Sequence, residues 1–147
     1  MKFQVALIIV LVSAAGYFAA DVLQKEKGED LPKGNALAKF DLIQTTSPQS
    51  NSLIRTPVVV QGKARGFWFF EAVFPVKVVD ANGNLLGQAP AHALSDWMTE
   101  EFVNFEASVR FQQSQTEYGF IILERDNPSG LPENANELRI PVRFQEQ

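Results

Sequence analysis

Regular alternation of apolar and polar residues is the feature that most limits how this chain can fold. Every second residue is apolar between positions 104 and 111, and the pattern recurs at 137–144 and, less regularly, at 57–65 and 68–80. A period of two places successive side chains on opposite faces of a strand, so each segment has one apolar and one polar face. Half-buried strands of this kind are typical of antiparallel sheets. The sequence therefore predicts an all-β body.

Turn-forming residues separate these apolar segments. DANGN at 80–84 contains Asn-Gly, a strong hairpin signal, while TTSPQSNS at 45–52 and QQSQTEYG at 112–119 are rich in turn formers. A body of about 105 residues with this many short strands is typical of an immunoglobulin-like antiparallel β-sandwich. We predict seven or eight strands, at about 40–45, 53–56, 57–65, 68–80, 84–90, 102–112, 118–125 and 137–145.

Two further expectations concern individual strands. In the predicted strand 68–80, the alternation places Trp68, Phe70 and Ala72 on one face, which we expect to be buried. Pro75 and Pro141 have no backbone N–H and cannot donate to a ladder. Each proline is therefore expected at a sheet edge or a bulge.

The N-terminus gives the clearest indication of location. Residues 3–20 carry no charged side chain, and 18 residues are just long enough for a helix to cross a bilayer. A retained anchor and a cleaved signal peptide are both consistent with this segment. We predict an N-terminal hydrophobic helix at 1–20 (anchor or signal peptide), a linker at 21–39 and a β-sandwich domain at 40–147. Either alternative places the domain outside the cytoplasm, in the periplasm or at the cell surface, and cleavage would make the protein secreted.

The composition argues against several classes of function. The chain has no cysteine and a single histidine, His92, so a zinc site lacks its usual ligands. No Gly-x-Ser-x-Gly elbow accompanies His92, and no glycine-rich phosphate-binding motif is present. A net charge of −4 without a basic stripe gives no footprint for nucleic acid. We therefore predict no enzymatic activity, no cofactor, no metal centre and no nucleic-acid partner.

The acidic stretch between the last two predicted strands leaves one question about metals open. Residues 126–136 read DNPSGLPENAN and offer the carboxylate and amide oxygens that calcium prefers. The spacing matches no EF-hand, and the same residues are ordinary turn formers. Whether this loop binds calcium cannot be decided from the sequence.

Three stretches of the chain resemble one protein family. They contain Gly62-x-Ala64-x-Gly66 followed by Phe-Glu-Ala, an Asp-x-x-Gly-x-x-Leu hairpin, and a terminal Ile-Pro-Val. Together they resemble the immunoglobulin-like domain first associated with bacterial spore germination proteins, over about residues 40–145. The resemblance implies an extracytoplasmic, non-enzymatic domain that often follows a membrane anchor, and it carries over no catalytic residue. The stretches are PVVVQGKARGFWFFEAVFPVKVVDANGNLL, DWMTEEFVNFEASVRF and LERDNPSGLPENANELRIPVRF.

The immunoglobulin-like strand order predicts that the loops 63–67, 92–101 and 126–136 converge at one end of the sandwich, where the linker is also expected to join. Loops at one end of a sandwich commonly bind ligands, and Trp and Arg often anchor interfaces. An alternative is structural, with Trp97 and Leu131 capping the core and Asp126 pairing with Arg65. The candidate binding residues are Arg65, Phe67, Trp97, Met98, Asp126, Asn127, Leu131 and Glu133.

These observations lead to an expected role. We expect a non-enzymatic binding or accessory module of the bacterial cell envelope that contacts an envelope protein or glycan through this loop cluster. The alternative is a structural spacer or an oligomerisation module, in which homo-oligomers form through exposed strand edges near Pro75 or Pro141. The sequence does not identify the partner or the process.

Overall fold

A computed structural model describes residues 33–145, which contain eight strands and three short 3₁₀ helices. The all-β class and the upper predicted strand count are confirmed. The 3₁₀ helices are Leu37–Lys39, Gly66–Trp68 and Pro132–Asn134. The strands are β1 (Ile43–Ser47), β2 (Ser52–Ile54), β3 (Val58–Arg65), β4 (Val73–Asp80), β5 (Leu85–Ala93), β6 (Phe102–Val109), β7 (Tyr118–Glu124) and β8 (Glu137–Phe144).

Across residues 33–145 we find no helix that is both long enough and apolar enough to cross a membrane. The hydrophobic helix predicted at 1–20 lies outside the described residues, as does most of the predicted linker.

The eight strands form one hydrogen-bonded sheet in the order β1-β3-β6-β5-β4-β7-β8-β2. The sheet curls between β5 and β6, which pair only where His92 and Ala93 face Glu106 and Phe105. The layer β1-β3-β6 therefore folds over the layer formed by the other five strands. This curled arrangement is an immunoglobulin-like sandwich.

The core lies between these two layers. In β6 the predicted alternation holds along the strand, and Phe105 is almost completely buried. Its ring meets Phe74 of β4 edge-on, with 4.9 Å between centroids, and Phe74 meets Phe69 in the same way at 5.1 Å. Aromatic pairs in this geometry add stabilisation beyond the area they bury. The alternation in the sequence thus produces the apolar interior.

The prediction of a wholly antiparallel sandwich is wrong for one pair of strands. β2 runs parallel to β8, with Leu53 opposite Arg143. The physical reason is that the chain does not reverse after β1. It crosses instead to the other layer through a turn in which Asn51 has a φ of 64°, so that β2 continues in the direction of β1 and joins the edge of β8.

The predicted strand 68–80 is also wrong at its start, because β4 begins only at Val73. Phe70 and Val73 exchange both backbone hydrogen bonds, at 2.9 and 3.1 Å, across a two-residue turn. Glu71 and Ala72 form that turn with φ values of 49° and 66°. The turn breaks the alternation, so Phe70 is exposed rather than buried.

Both prolines singled out in the sequence lie inside the ladder with one neighbouring strand and just before the start of the ladder with the other. Pro75 faces Pro90 across β4 and β5, and the ladder between β4 and β7 begins only at Val76. Pro141 directly precedes Val142, the first Cα partner of β2 along β8. A residue without an N–H is tolerated at such positions.

The chain reaches the sandwich at the outer edge of β8, in residues that the sequence analysis assigned to the linker. The Asn35 side chain donates to Glu137 O at 3.0 Å and accepts from Arg139 N at 2.7 Å, so it binds the edge as a neighbouring strand would. Gly34 lies so close that a β-carbon there would overlap the Arg139 carbonyl oxygen. The chain then passes through Leu37–Lys39 to β1 on the other layer.

Candidate binding surface

The three loops predicted to converge meet around the connection between β3 and β4. Gly66 N donates to Glu101 O at 3.1 Å, which joins this connection to the β5–β6 loop. Asp126 N donates to Trp68 O at 3.0 Å, which joins it to the β7–β8 loop. The predicted convergence is therefore present in the structure.

A fourth segment, which the sequence analysis placed in the linker and the start of β1, reaches the same end. Arg65 donates from its backbone N to Leu42 O at 2.9 Å and from Nε to Asp41 O at 3.0 Å. We call the end surface formed by four segments the loop crown. The segments are Leu37–Asp41, Gly66–Ala72, Leu94–Glu101 and Arg125–Asn136.

The glycine at the start of the β3–β4 connection explains why these loops pack so closely. A β-carbon on Gly66 would overlap the carbonyl oxygens of both Trp97 and Thr99. Ala64, two residues earlier, is completely buried. The last glycine of the Gly-x-Ala-x-Gly motif therefore provides the space in which the β5–β6 loop passes over the β3–β4 connection.

Arg65 lies beneath the crown and contacts the loops above it. Its guanidinium carbon lies 4.0 Å from the centroid of the Phe102 ring, and its Nη1 donates to Glu100 O at 3.4 Å. The proposed pairing of Asp126 with Arg65 is wrong. Between residues 33 and 145 the two ion pairs are Lys77–Glu124 and Arg139–Glu137.

Trp97 lies half-buried and packs against the core cluster. This contact agrees with the capping role that the sequence analysis offered for this residue. Its neighbour Met98 points away and is 75% exposed. Of this adjacent pair, Met98 is therefore the side chain available to a partner.

Phe67 and Leu131 are also accessible, at 45% and 48% exposure. Arg125 holds the first of these in place. Its Nε donates to Phe67 O at 3.2 Å, and its guanidinium carbon lies 5.6 Å from the centroid of the Phe67 ring. Leu131 thus differs from the capping expectation, because about half of its surface remains open to solvent.

The β7–β8 loop is closed by its own side chains. Asn127 Nδ2 donates to Leu131 O at 2.9 Å, and Asn127 Oδ1 accepts from Ser129 Oγ at 2.6 Å. Asn134 Nδ2 donates to Ser129 Oγ at 3.0 Å. Glu133 is exposed in the short 3₁₀ helix of this loop. No group of three or more His, Cys, Asp or Glu side chains within the described range is arranged to hold a metal ion.

Exposed apolar side chains are concentrated in the crown. Of the ten large hydrophobic residues exposed between positions 33 and 145, seven lie in the four crown segments. Sequence reasoning identified three of them and missed four. Three of the four missed residues fall in segments interpreted as linker or strand, whereas Leu94 lies in the loop 92–101 that was predicted to converge but was not named as a candidate. The seven are Leu37, Phe40, Phe67, Phe70, Leu94, Met98 and Leu131.

Negative charge is concentrated in the same segments. The crown carries seven acidic residues against two basic ones, a formal charge of −5, whereas the rest of the chain sums to +1. The net charge of the protein therefore originates at this end. The acidic residues are Asp41, Glu71, Asp96, Glu100, Glu101, Asp126 and Glu133.

A shallow depression of about 330 Å³ adjoins the crown on the β4–β5 side. Val73, Pro75 and Pro90 contribute apolar wall, and Asp126 of the β7–β8 loop also lines it. An apolar groove beside a carboxylate has the chemistry to receive an aliphatic chain that ends in a positive charge.

The fold and this surface define the class of protein: an immunoglobulin-like domain with converging loops at one end. The family model described as the immunoglobulin-like domain of bacterial spore germination matches residues 42–130, and the chain belongs to this family. Comparison with curated proteins and with solved structures gives no match.

Proposed function

We propose that this protein is a non-enzymatic binding module of the bacterial cell envelope, which contacts a protein or glycan partner through its loop crown. The observation that carries the proposal is the concentration of exposed apolar side chains there. Exposed apolar side chains grouped at one end of a small domain are a common feature of interaction sites. The crown is also held together by backbone hydrogen bonds between its loops. A surface organised before binding loses less conformational entropy when a partner arrives.

The proposal includes an extracytoplasmic location. The uncharged segment 3–20 would act as a membrane anchor, or as a signal peptide if it is cleaved. The chain enters the sandwich at Gly34 and Asn35, on the edge of β8 that begins beside the β7–β8 loop. If the anchor is retained, residues 21–33 span at most about 43 Å when extended, at about 3.3 Å per residue. The partner would then be a component close to the membrane.

Chemical crosslinking and affinity capture of the full-length protein from intact cells test this proposal. One variant carries Met98→Ser and Leu131→Ser, which remove two exposed apolar crown side chains without touching the core. The matched control carries Leu53→Ser and Leu85→Ser, both 54% exposed and outside the crown. Thermal melting shows whether each variant remains folded.

The expected result is that the crown variant loses the captured partner while the control retains it. Capture that survives in the crown variant but is lost in the control would contradict the proposal. That outcome would favour the alternative of a spacer or oligomerisation module that uses strand surfaces. A spacer should also respond to changes in linker length, whereas a crown-mediated contact should respond to the crown substitutions.

A further inference from the structure

We infer that the crown binds a protein segment that combines apolar side chains with lysine or arginine, that is, a cationic amphipathic segment. This inference rests on the proposed function and narrows the partner to one chemical class. Two observations support it. Apolar and acidic side chains lie next to each other in all four crown segments, and an apolar depression lies beside the crown.

Each of the four crown segments presents an exposed apolar side chain within two residues of a carboxylate. No acidic residue of the crown belongs to an ion pair among the residues that the structure describes. The surface therefore offers apolar contact area bordered by available negative charge. The neighbouring pairs are Phe40 with Asp41, Phe70 with Glu71, Met98 with Glu100, and Leu131 with Glu133.

The arginines near these carboxylates are directed elsewhere. Arg65 donates to the carbonyl oxygens of Asp41 and Glu100 and stacks on Phe102. Arg125 donates to the Phe67 carbonyl oxygen and lies over the Phe67 ring. Neither forms an ion pair with a carboxylate. Arg125 is already counted in the formal charge of −5, and including Arg65, which lies beneath the crown, leaves a charge of −4. Opposite charge across an interface speeds association and selects the partner.

The same charge disfavours other occupants. A second copy of the crown would bring two surfaces of equal charge together. Anionic lipid headgroups and phosphate-bearing glycans would be repelled for the same reason. The protein's own segment 3–20 is apolar but has no positive charge to match the carboxylates. A cationic amphipathic segment satisfies both the apolar and the acidic parts of the surface.

The depression beside the crown fits one residue of such a segment. Pro75 and Pro90 face each other across β4 and β5, and Asp126 lines the same depression. The aliphatic part of a lysine or arginine would pack on the prolines while its charged group meets Asp126. Asp126 is half-buried, so a charge pair there is less screened by solvent than one at a fully exposed carboxylate.

A peptide-binding measurement tests this inference. The full chain is held in nanodiscs of zwitterionic lipid, and fluorescence anisotropy reports binding of a short labelled amphipathic peptide built from leucine and lysine. A second peptide has glutamate in place of lysine. We expect the Leu/Lys peptide to bind, to bind more weakly as salt is added, and to bind better than the Leu/Glu peptide.

Two matched variants assign the effect to the crown. Glu100→Gln with Glu133→Gln removes two crown charges, and Glu106→Gln with Glu117→Gln removes two exposed charges outside it. We expect the crown variant to bind the Leu/Lys peptide about tenfold more weakly and the control to change less than about twofold. Asp126→Asn should also weaken binding of this peptide.

The other outcomes overturn the inference. They are equal binding of both peptides, no binding of the Leu/Lys peptide, equal effects of the two variants, and crown-dependent binding of anionic vesicles or polyphosphate instead. If one of these occurs while partner capture in cells still depends on Met98 and Leu131, the proposed function stands and only the partner class is wrong. If capture does not depend on those residues, the proposed function itself fails.

Discussion

Gly66 lies so close to Thr99 that one added carbon on Gly66 would overlap the Thr99 carbonyl oxygen. This contact sets how closely the β5–β6 loop can pass over the β3–β4 connection. The same loop places Trp97 against the core and Met98 in solvent. The crown is therefore supported by a packing contact at its centre.

Replacing Gly66 by alanine should push the β5–β6 loop away and lower the free energy of unfolding by about 2–3 kcal/mol, as overpacking does. Chemical denaturation measures the loss. Gly130→Ala is the comparison, because its β-carbon meets open space and its positive φ of 67° alone should cost about 1 kcal/mol. An equal effect of the two substitutions would contradict the packing role of Gly66, because Gly66, unlike Gly130, does not have a positive φ.

The turn at Glu71 and Ala72 predicts a stabilising substitution. Both residues have positive φ, a conformation that costs a residue with a β-carbon about 1 kcal/mol relative to glycine. Ala72→Gly should therefore raise the free energy of unfolding by about 0.5–1 kcal/mol. Ala135→Gly is the control, since Ala135 has a φ of −69° and should lose stability slightly. A loss of stability in both variants would contradict the strain argument.

That turn also shows where sequence reasoning failed and why. Alternation in four segments, together with the turn signals between them, located all eight strands. It misplaced the start of β4, since Glu-Ala carries none of the usual glycine or asparagine signals of a tight turn. Phe69 and Phe70 consequently exchange their expected environments, with Phe69 buried and Phe70 exposed.

The sequence predicted the part of the candidate site that follows from strand order. Strand order alone brings three loops to one end, and the candidate residues on them lie there. No pattern in the sequence indicates that Leu37 and Phe40 belong to the same surface, because their segment has the mixed composition of a linker. Their position depends on the contacts of Asn35 and Arg65, which join residues far apart in the chain.

The hairpin between β4 and β5 predicts a pH-dependent contribution to stability. The side-chain amide of Asn84 donates to Asp80, and backbone N–H groups of Asn82 and Asn84 add to this. These bonds to the ionised form hold the pKa of Asp80 below its usual value of 3.8, despite its burial. Because the folded pKa is the lower one, the stabilisation is present above pH 3.8 and is lost as the pH falls through the folded pKa.

Thermal melts of the wild type and of Asp80→Asn over acidic pH measure this contribution. The melting temperature of the wild type should fall more steeply than that of the variant as the pH drops below about 4. Asp41→Asn, at an exposed position, controls for the loss of one charge. Parallel curves for the wild type and Asp80→Asn would exclude a role for Asp80 in acid sensitivity.

The Asn35 contact predicts how the linker is held. Asn35→Ala removes both side-chain hydrogen bonds to the edge of β8 and should cost about 1–3 kcal/mol, because the partners are half-buried. Hydrogen exchange at the Arg139 amide should become faster. Asn104→Ala, on the exposed face of β6, should change neither quantity appreciably. Unchanged exchange at Arg139 in the Asn35 variant would contradict this account of the attachment.

The most direct test of the central claim, that the crown is the binding surface, is site-specific photocrosslinking in living cells. A photoreactive amino acid replaces Met98 in the crown or, as the control, Leu85 outside it; both side chains are well exposed. The account predicts a discrete crosslinked product from position 98 that is absent from position 85 and is lost when Leu131→Ser and Phe70→Ser are added. Equal crosslinking from both positions, or a product from position 85 alone, would contradict it.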